Sequence, residues 1–237
     1  MAENVVKMNT NLSDKEKKSS ASKRLGDFLS NNRIALLVIL CLVVLGFIAY
    51  AVALSAYSAS VKKNLGVIET IEFSLTKDAS ELEESVISAR QDTALSNLEP
   101  YLKKGGIVGA RADMLAADIY MQRKDWNAAR TLWMDAAAKR KGTYLASVCN
   151  FNAASCSEEL GDSGTALEYY TKVLDDKDFV DRSRACFNAG RIKESLGDFA
   201  GAADLYGRIA SFEYSGDIWN DLAQTRLVSL RAEGKIQ

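Results

Sequence analysis

The chain has 237 residues, which is enough for one medium-sized domain with shorter additional segments. Its 30 basic and 31 acidic side chains give a net charge of −1, so the composition does not favour a nucleic-acid-binding surface. Proline occurs once, which favours helices, and the absence of histidine excludes His-dependent catalytic triads and His metal ligands. We therefore expect no enzymatic activity, no metal site and no cofactor.

The first 33 residues form a basic segment that is poor in large apolar side chains. It has seven basic and four acidic groups, and its first 20 residues are polar. Such a segment cannot bury enough apolar area to fold alone. We predict a largely disordered tail at residues 1–33, with residues 23–31 as a candidate short helix beside a membrane.

Residues 34–56 contain no charged side chain and are strongly apolar. A helix of 23 residues is about 34 Å long, which is sufficient to cross a hydrocarbon core of about 30 Å. We predict a transmembrane helix here. A cleaved signal peptide is the alternative, although its apolar region is usually only about 7–15 residues long.

The charges on either side of this segment predict its orientation. Six basic residues lie within about 20 residues before it and three lie within about 20 residues after it. The N-terminus is therefore expected in the cytoplasm, and the larger C-terminal part is expected outside it. Residues 57–79 are predicted to form a helical connector, and residues 80–237 are predicted to form the main domain.

Sequence repeats with a period of 36–37 residues dominate the C-terminal part. Leu160-Gly161-Asp162 matches Leu196-Gly197-Asp198, and Asp125 occupies the same position one period earlier. Gly suits the end of one helix, and Asp can cap the start of the next. Each period is therefore predicted to contain two helices joined by a tight turn.

The second helix of each period has a small residue followed four positions later by an aromatic residue. The small residue permits close helix packing and the ring fills the adjacent space. A single helical hairpin cannot bury its apolar face, so neighbouring periods are expected to stack. The small-aromatic pairs are Ala129–Trp133, Ala166–Tyr170 and Ala202–Tyr206.

These positions resemble the tetratricopeptide repeat pattern, in which the eighth residue of each unit is also small. Those residues are Ala117, Ala154 and Gly190. The resemblance implies an all-α solenoid of about three to four helical hairpins after one transmembrane helix. Residues 80–104 resemble a degenerate first unit with Ala94 and Leu98 at its small and bulky sites, and a capping helix is expected to run to about Ala232.

A basic tail, one membrane span and extracytoplasmic repeats together resemble the bacterial ancillary Sec translocon subunit family. The resemblance implies a single-pass protein of the bacterial inner membrane with a periplasmic repeat domain. Its implied partners are Sec translocon components, periplasmic chaperones or unfolded client proteins. The alternative is a structural scaffold of a cell-envelope or division complex. The oligomeric state is not predicted.

The tetratricopeptide resemblance also implies a peptide-binding groove lined by first-helix residues. Basic and amide side chains there can bind a peptide backbone or carboxylate. Alternatively, the two phenylalanines pack between units and the asparagines are solvated. The candidate groove residues are Arg111, Met114, Asp118, Phe151, Asn152, Ser155, Arg184, Phe187, Asn188 and Arg191.

Three cysteines lie in the predicted extracytoplasmic part. Cys149 and Cys156 are seven residues apart on one predicted helix, so about 10 Å separates them, which is too far for a disulfide. Cys149 and Cys186 lie on successive first helices, so a disulfide between them is one alternative. Burial of all three as free thiols is the other, although free thiols are unusual in an oxidising compartment.

Overall fold

The computed structural model describes residues 23–212 and 218–237, with residue 81 described by its backbone only. Of the predicted disordered tail, residues 1–33, the first 22 residues lie outside the described residues. The chain divides into two compact units, residues 1–60 and 61–237. Every regular element in the described ranges is a helix.

The first unit contains helical residues 23–31 and most of helix α1, Arg33–Thr76. The part of α1 in this unit has exposed apolar side chains along residues 34–57. By its length and by the mean hydropathy of 3.0 in an 18-residue window, α1 is a candidate membrane span. Its last turns, from Val61 onwards, belong to the second unit.

Among the described residues, eight further α-helices follow the end of α1 in the second unit, and a short 3₁₀ turn at Ala79–Glu81 precedes them. The helices are α2 Glu84–Leu102, α3 Gly106–Gln122, α4 Trp126–Lys139, α5 Tyr144–Glu159, α6 Ser163–Lys172, α7 Arg182–Ser195, α8 Phe199–Ile209 and α9 Ile218–Ala232. Successive helices pack on one another from α2 to α9. The predicted solenoid of helical hairpins is confirmed, and α9 ends at the predicted residue.

The turn inside each hairpin has the predicted capping chemistry. The side chains of Asp125, Asp162 and Asp198 accept hydrogen bonds of 2.9–3.1 Å from the backbone N–H groups three residues later. Gly161 and Gly197 have φ values of 72° and 80°, as expected for glycine after a helix end. Lys124 occupies the corresponding position in the first of these turns with φ of 59°.

The core consists of the small and aromatic positions of the repeats. Trp133, Tyr170 and Tyr206 are buried, together with the alanine four residues before each ring. Ala94 and Leu98 of α2 are also buried, as expected for a degenerate first unit.

The C-terminal end of α1 packs against the degenerate first repeat, residues 80–104. Ile68 and Ile71 of α1 are buried in the same cluster as Leu98. The sequence left open whether the helix continues from the span through Lys62 to Phe73, and α1 runs without interruption to Thr76. The predicted boundaries between tail, membrane span, connector and repeat domain, at residues 33, 56 and 79, remain predictions.

The connection between α6 and α7 differs from the others. Helix α6 has only 10 residues, and a non-helical connection over residues 173–181 follows it. This connection has its own buried side chains, Val173, Leu174 and Phe179. Phe179 lies 5.8 Å from Phe151, measured between ring centroids, so the connection contributes to the core between two units.

Candidate protein-binding site

A polar cavity of about 580 Å³ lies between α5 and α7, the first helices of the last two complete repeats. Helices α5 and α7 form its sides, while Tyr170 of α6 and Trp219 of α9 complete it. Four of the ten predicted groove residues line it, namely Ser155, Arg184, Asn188 and Arg191. They come from two repeat units, so stacking of the units brings them together.

A carboxylate in this cavity joins two units. Glu158 accepts a hydrogen bond of 2.7 Å from the Tyr170 hydroxyl and forms an ion pair with Arg191 of the next unit. Burial raises the pKa of Tyr170 to about 12, so its hydroxyl remains protonated at neutral pH. Because Glu158 already pairs with Arg191, that arginine is less available to a ligand.

The same arrangement recurs one repeat later. The Tyr206 hydroxyl donates to Glu194 at 2.9 Å, and Arg226 of α9 forms an ion pair with Glu194. Burial opposes ionisation of Glu194, but the bonds from Arg226 and Tyr206 outweigh it and lower its pKa. Sequence reasoning missed these pairs. The signal was the recurrence of Glu, Tyr and Arg at intervals of 35–36 residues.

Arg184 is the more available cation of the cavity. Its guanidinium carbon lies 5.1 Å from the ring centroid of Phe151 and 5.6 Å from that of Trp219, which are cation–π distances. The side chain is exposed, and no carboxylate among the described residues forms an ion pair with it. An exposed arginine held between two rings can bind a carboxylate through two parallel hydrogen bonds.

The two predicted phenylalanines pack against other rings. Phe151 is buried, with its centroid 5.4 Å from that of Tyr170. Phe187 is half-buried and lies 5.5 Å from Tyr206 and 5.6 Å from Trp219. Phe151 therefore lies directly beneath Arg184, whereas Phe187 packs against Trp219, the other ring beside that arginine. Asn152 is half-buried on α5.

The three predicted residues on α3 do not line this cavity. Arg111 forms an ion pair of 3.0 Å with Glu72 of α1. Met114 is half-buried against the core, and Asp118 is exposed. Groove binding by any of the ten residues remains a prediction.

Cys149, Cys156 and Cys186 are buried, and none of them forms a disulfide. Burial raises the pKa of Cys149 and Cys186 to about 12 and that of Cys156 to about 11, so all three remain thiols at neutral pH. Within the described ranges, no cluster of three Cys, Asp or Glu side chains could hold a metal ion.

Comparison with known proteins agrees with the helical hairpins. No family model matches the chain. A TPR repeat-containing protein of Treponema pallidum (strain Nichols) is 34% identical over 154 residues, which are 63% of this chain. The chain spans 64% of the length of that relative. The similarity agrees with the tetratricopeptide-like solenoid of helical hairpins that the structure shows.

Proposed function

We propose that the chain is a single-span inner-membrane protein that binds protein segments outside the cytoplasm, beside the Sec translocon. Its partners would be translocon components, periplasmic chaperones or unfolded clients. The candidate span in α1 supports anchoring. Six basic residues within about 20 residues before the span, against three within about 20 residues after it, support a cytoplasmic N-terminus. Residues 57–79 would connect the span to the repeat domain.

The cavity around Arg184 is the observation that carries the binding proposal. It combines an available arginine, the Asn188 amide and aromatic support from Phe151 and Trp219. These groups suit an extended peptide, because amides bind its backbone and arginine binds a carboxylate. The packed scaffold holds them in place before a ligand arrives, which lowers the entropic cost of binding.

Site-specific photo-crosslinking in native membranes tests this proposal. A photoreactive amino acid at Asn188 should crosslink to translocon subunits, periplasmic chaperones or their clients. The same amino acid at Asp204, an exposed position on α8, should not. Arg184→Glu should reduce the crosslinks at position 188, whereas Arg231→Glu on α9 should not.

Three other results would contradict parts of the proposal. Equal crosslinking at positions 188 and 204 would exclude the cavity as the binding site. Crosslinks confined to division or envelope-assembly proteins would favour the scaffold alternative. An alkaline phosphatase fused after Gln237 should be active only if the repeat domain is extracytoplasmic, so an inactive fusion would reject the proposed topology.

A further inference from the structure

The second unit has one edge at which the chain enters it and at which α2 and α4 end. Arg90 of α2 donates to the carbonyls of Ser74 and Lys77 at the end of α1. Thr93, further along α2, lines one groove with Thr70, which lies earlier in α1. Helices α1 and α2 are therefore antiparallel. Continuing both helices puts the end of α2 beside Val61. Lys139 at the end of α4 donates to the Leu102 carbonyl at 2.6 Å, so α4 ends at the same edge.

This edge is rich in cations. We call it the basic edge, and define it by Lys62, Lys63, Lys103, Lys104, Arg140 and Lys141. The five lysines are exposed and Arg140 is half-buried. The nearest carboxylates on the same helices are Glu99 and Asp135, about one turn away, so positive charge predominates.

Helix dipoles alone do not account for this distribution. Cations are favourable after α2 and α4, because helix C-termini carry partial negative charge. Helix α6 ends at the same edge, since Lys172 and Asp176 line one cavity with Lys141. There Lys172 and Lys177 are outnumbered by Asp175, Asp176 and Asp178. A net positive charge is therefore confined to the part of the edge beside the point at which the chain enters the unit.

That point must lie close to the membrane if residues 34–56 span it. Only residues 57–60 separate the span from Val61, and each residue extends the chain by at most about 3.6 Å. Val61 therefore lies within roughly 18 Å of the end of the span. We propose that the basic edge binds the anionic lipid headgroups of the adjacent leaflet, an inference that rests on the proposed membrane anchoring.

Hydrogen–deuterium exchange of the full chain in nanodiscs tests this inference. Phosphatidylcholine discs are compared with discs containing about one-third phosphatidylglycerol. The anionic lipid should slow amide exchange at residues 101–105 and 139–143 by about threefold or more, because bound headgroups restrict these turns. The difference should disappear in 1 M salt, where electrostatic screening acts over about 3 Å.

Matched variants separate the basic edge from general charge. Lys103→Gln combined with Lys104→Gln and Lys141→Gln should abolish the lipid-dependent difference. Lys124→Gln combined with Arg231→Gln, which lie outside the basic edge, should preserve it. Identical exchange in both lipids, in a chain that has inserted, would overturn this inference alone. A chain that fails to insert into either disc would overturn both the inference and the proposed anchoring.

Discussion

At the scale of single residues, Gly190 occupies a site with no room for a methyl group. The corresponding residues of the two preceding units are alanines, Ala117 and Ala154. A Cβ atom on Gly190 would lie 2.6 Å from Cε1 and 2.9 Å from Cδ1 of Tyr206. The Tyr206 ring cannot easily move, because its hydroxyl donates to Glu194 and its centroid lies 5.5 Å from that of Phe187.

We therefore expect Gly190→Ala to lower the free energy of unfolding by about 1–3 kcal/mol, because overpacking outweighs the better helix propensity of alanine. Urea unfolding of the detergent-solubilised chain, followed by tryptophan fluorescence, measures this change. All three tryptophans lie in the second unit. Gly207→Ala is the control, since Gly207 has open space around it, and should stabilise by about 0.5–1 kcal/mol. Equal effects of the two substitutions would show that the Tyr206 ring moves to make room for the added methyl group, which would contradict this prediction.

The sequence predicted a small residue at position 190 but not its need to be glycine. Period and residue type indicate which helix faces meet. The distance between Gly190 and Tyr206 depends on the orientation of one ring, which its bond to Glu194 sets. The predicted groove residues show the same limit. Ser155, Arg184, Asn188 and Arg191 share a cavity, whereas the pairing of Arg191 with Glu158 depends on long side-chain conformations that a repeat pattern does not specify.

At the scale of secondary-structure elements, a buried ion pair connects α3 to α4. Asp113 is almost completely buried and pairs with Lys139, which also donates to the end of α2. Burial raises the pKa of Asp113 from 3.8 to about 6, although the hydrogen bond and charge of Lys139 act to lower it. The folded chain thus holds this proton more tightly than the unfolded chain. The resulting stabilisation is complete below pH 3.8 and is lost as the pH rises through about 6.

Lys139→Met should lower the free energy of unfolding at pH 7.5 by about 3–5 kcal/mol, because it leaves a buried carboxylate without a cation. The deficit should be smaller at pH 5, where Asp113 becomes neutral and needs no partner. Parallel urea titrations at the two pH values measure the difference. Lys141→Met, at an exposed position two residues later, should change stability by less than about 0.5 kcal/mol at either pH. An equal decrease in the free energy of unfolding at both pH values would mean that Lys139 stabilises the fold through its packing or its hydrogen bond to the Leu102 carbonyl, and not through Asp113.

At the scale of the whole molecule, the buried thiols bear on the proposed topology. An extracytoplasmic domain with three unbonded cysteines is unusual, because that compartment favours disulfides. Cys149, Cys156 and Cys186 are fully buried, and their raised pKa values keep them as unreactive thiols. Folding therefore protects them from oxidation, and the cysteine content is compatible with a periplasmic location.

A thiol-specific maleimide of high molecular mass should label none of these three cysteines in the native, detergent-solubilised chain, and all three in denaturant. Reaction is slow when the thiolate is scarce and inaccessible. A cysteine introduced by Asp204→Cys, at an exposed position on α8, serves as the labelled control, and peptide mapping distinguishes the sites. Native labelling of Cys149 or Cys186 at the rate of this control would contradict the packing described above.

The connection over residues 173–181 has a consequence for how such a chain can gain or lose repeats. Most periods meet through helix faces of similar design, so removal of 36 residues can bring equivalent faces together. Removal across this connection would take Phe179 from its contacts with Phe151 and Tyr144 and leave an apolar gap between α5 and its new neighbour. Recombination between units is therefore constrained most at this junction, and evolution of repeat number should have avoided it.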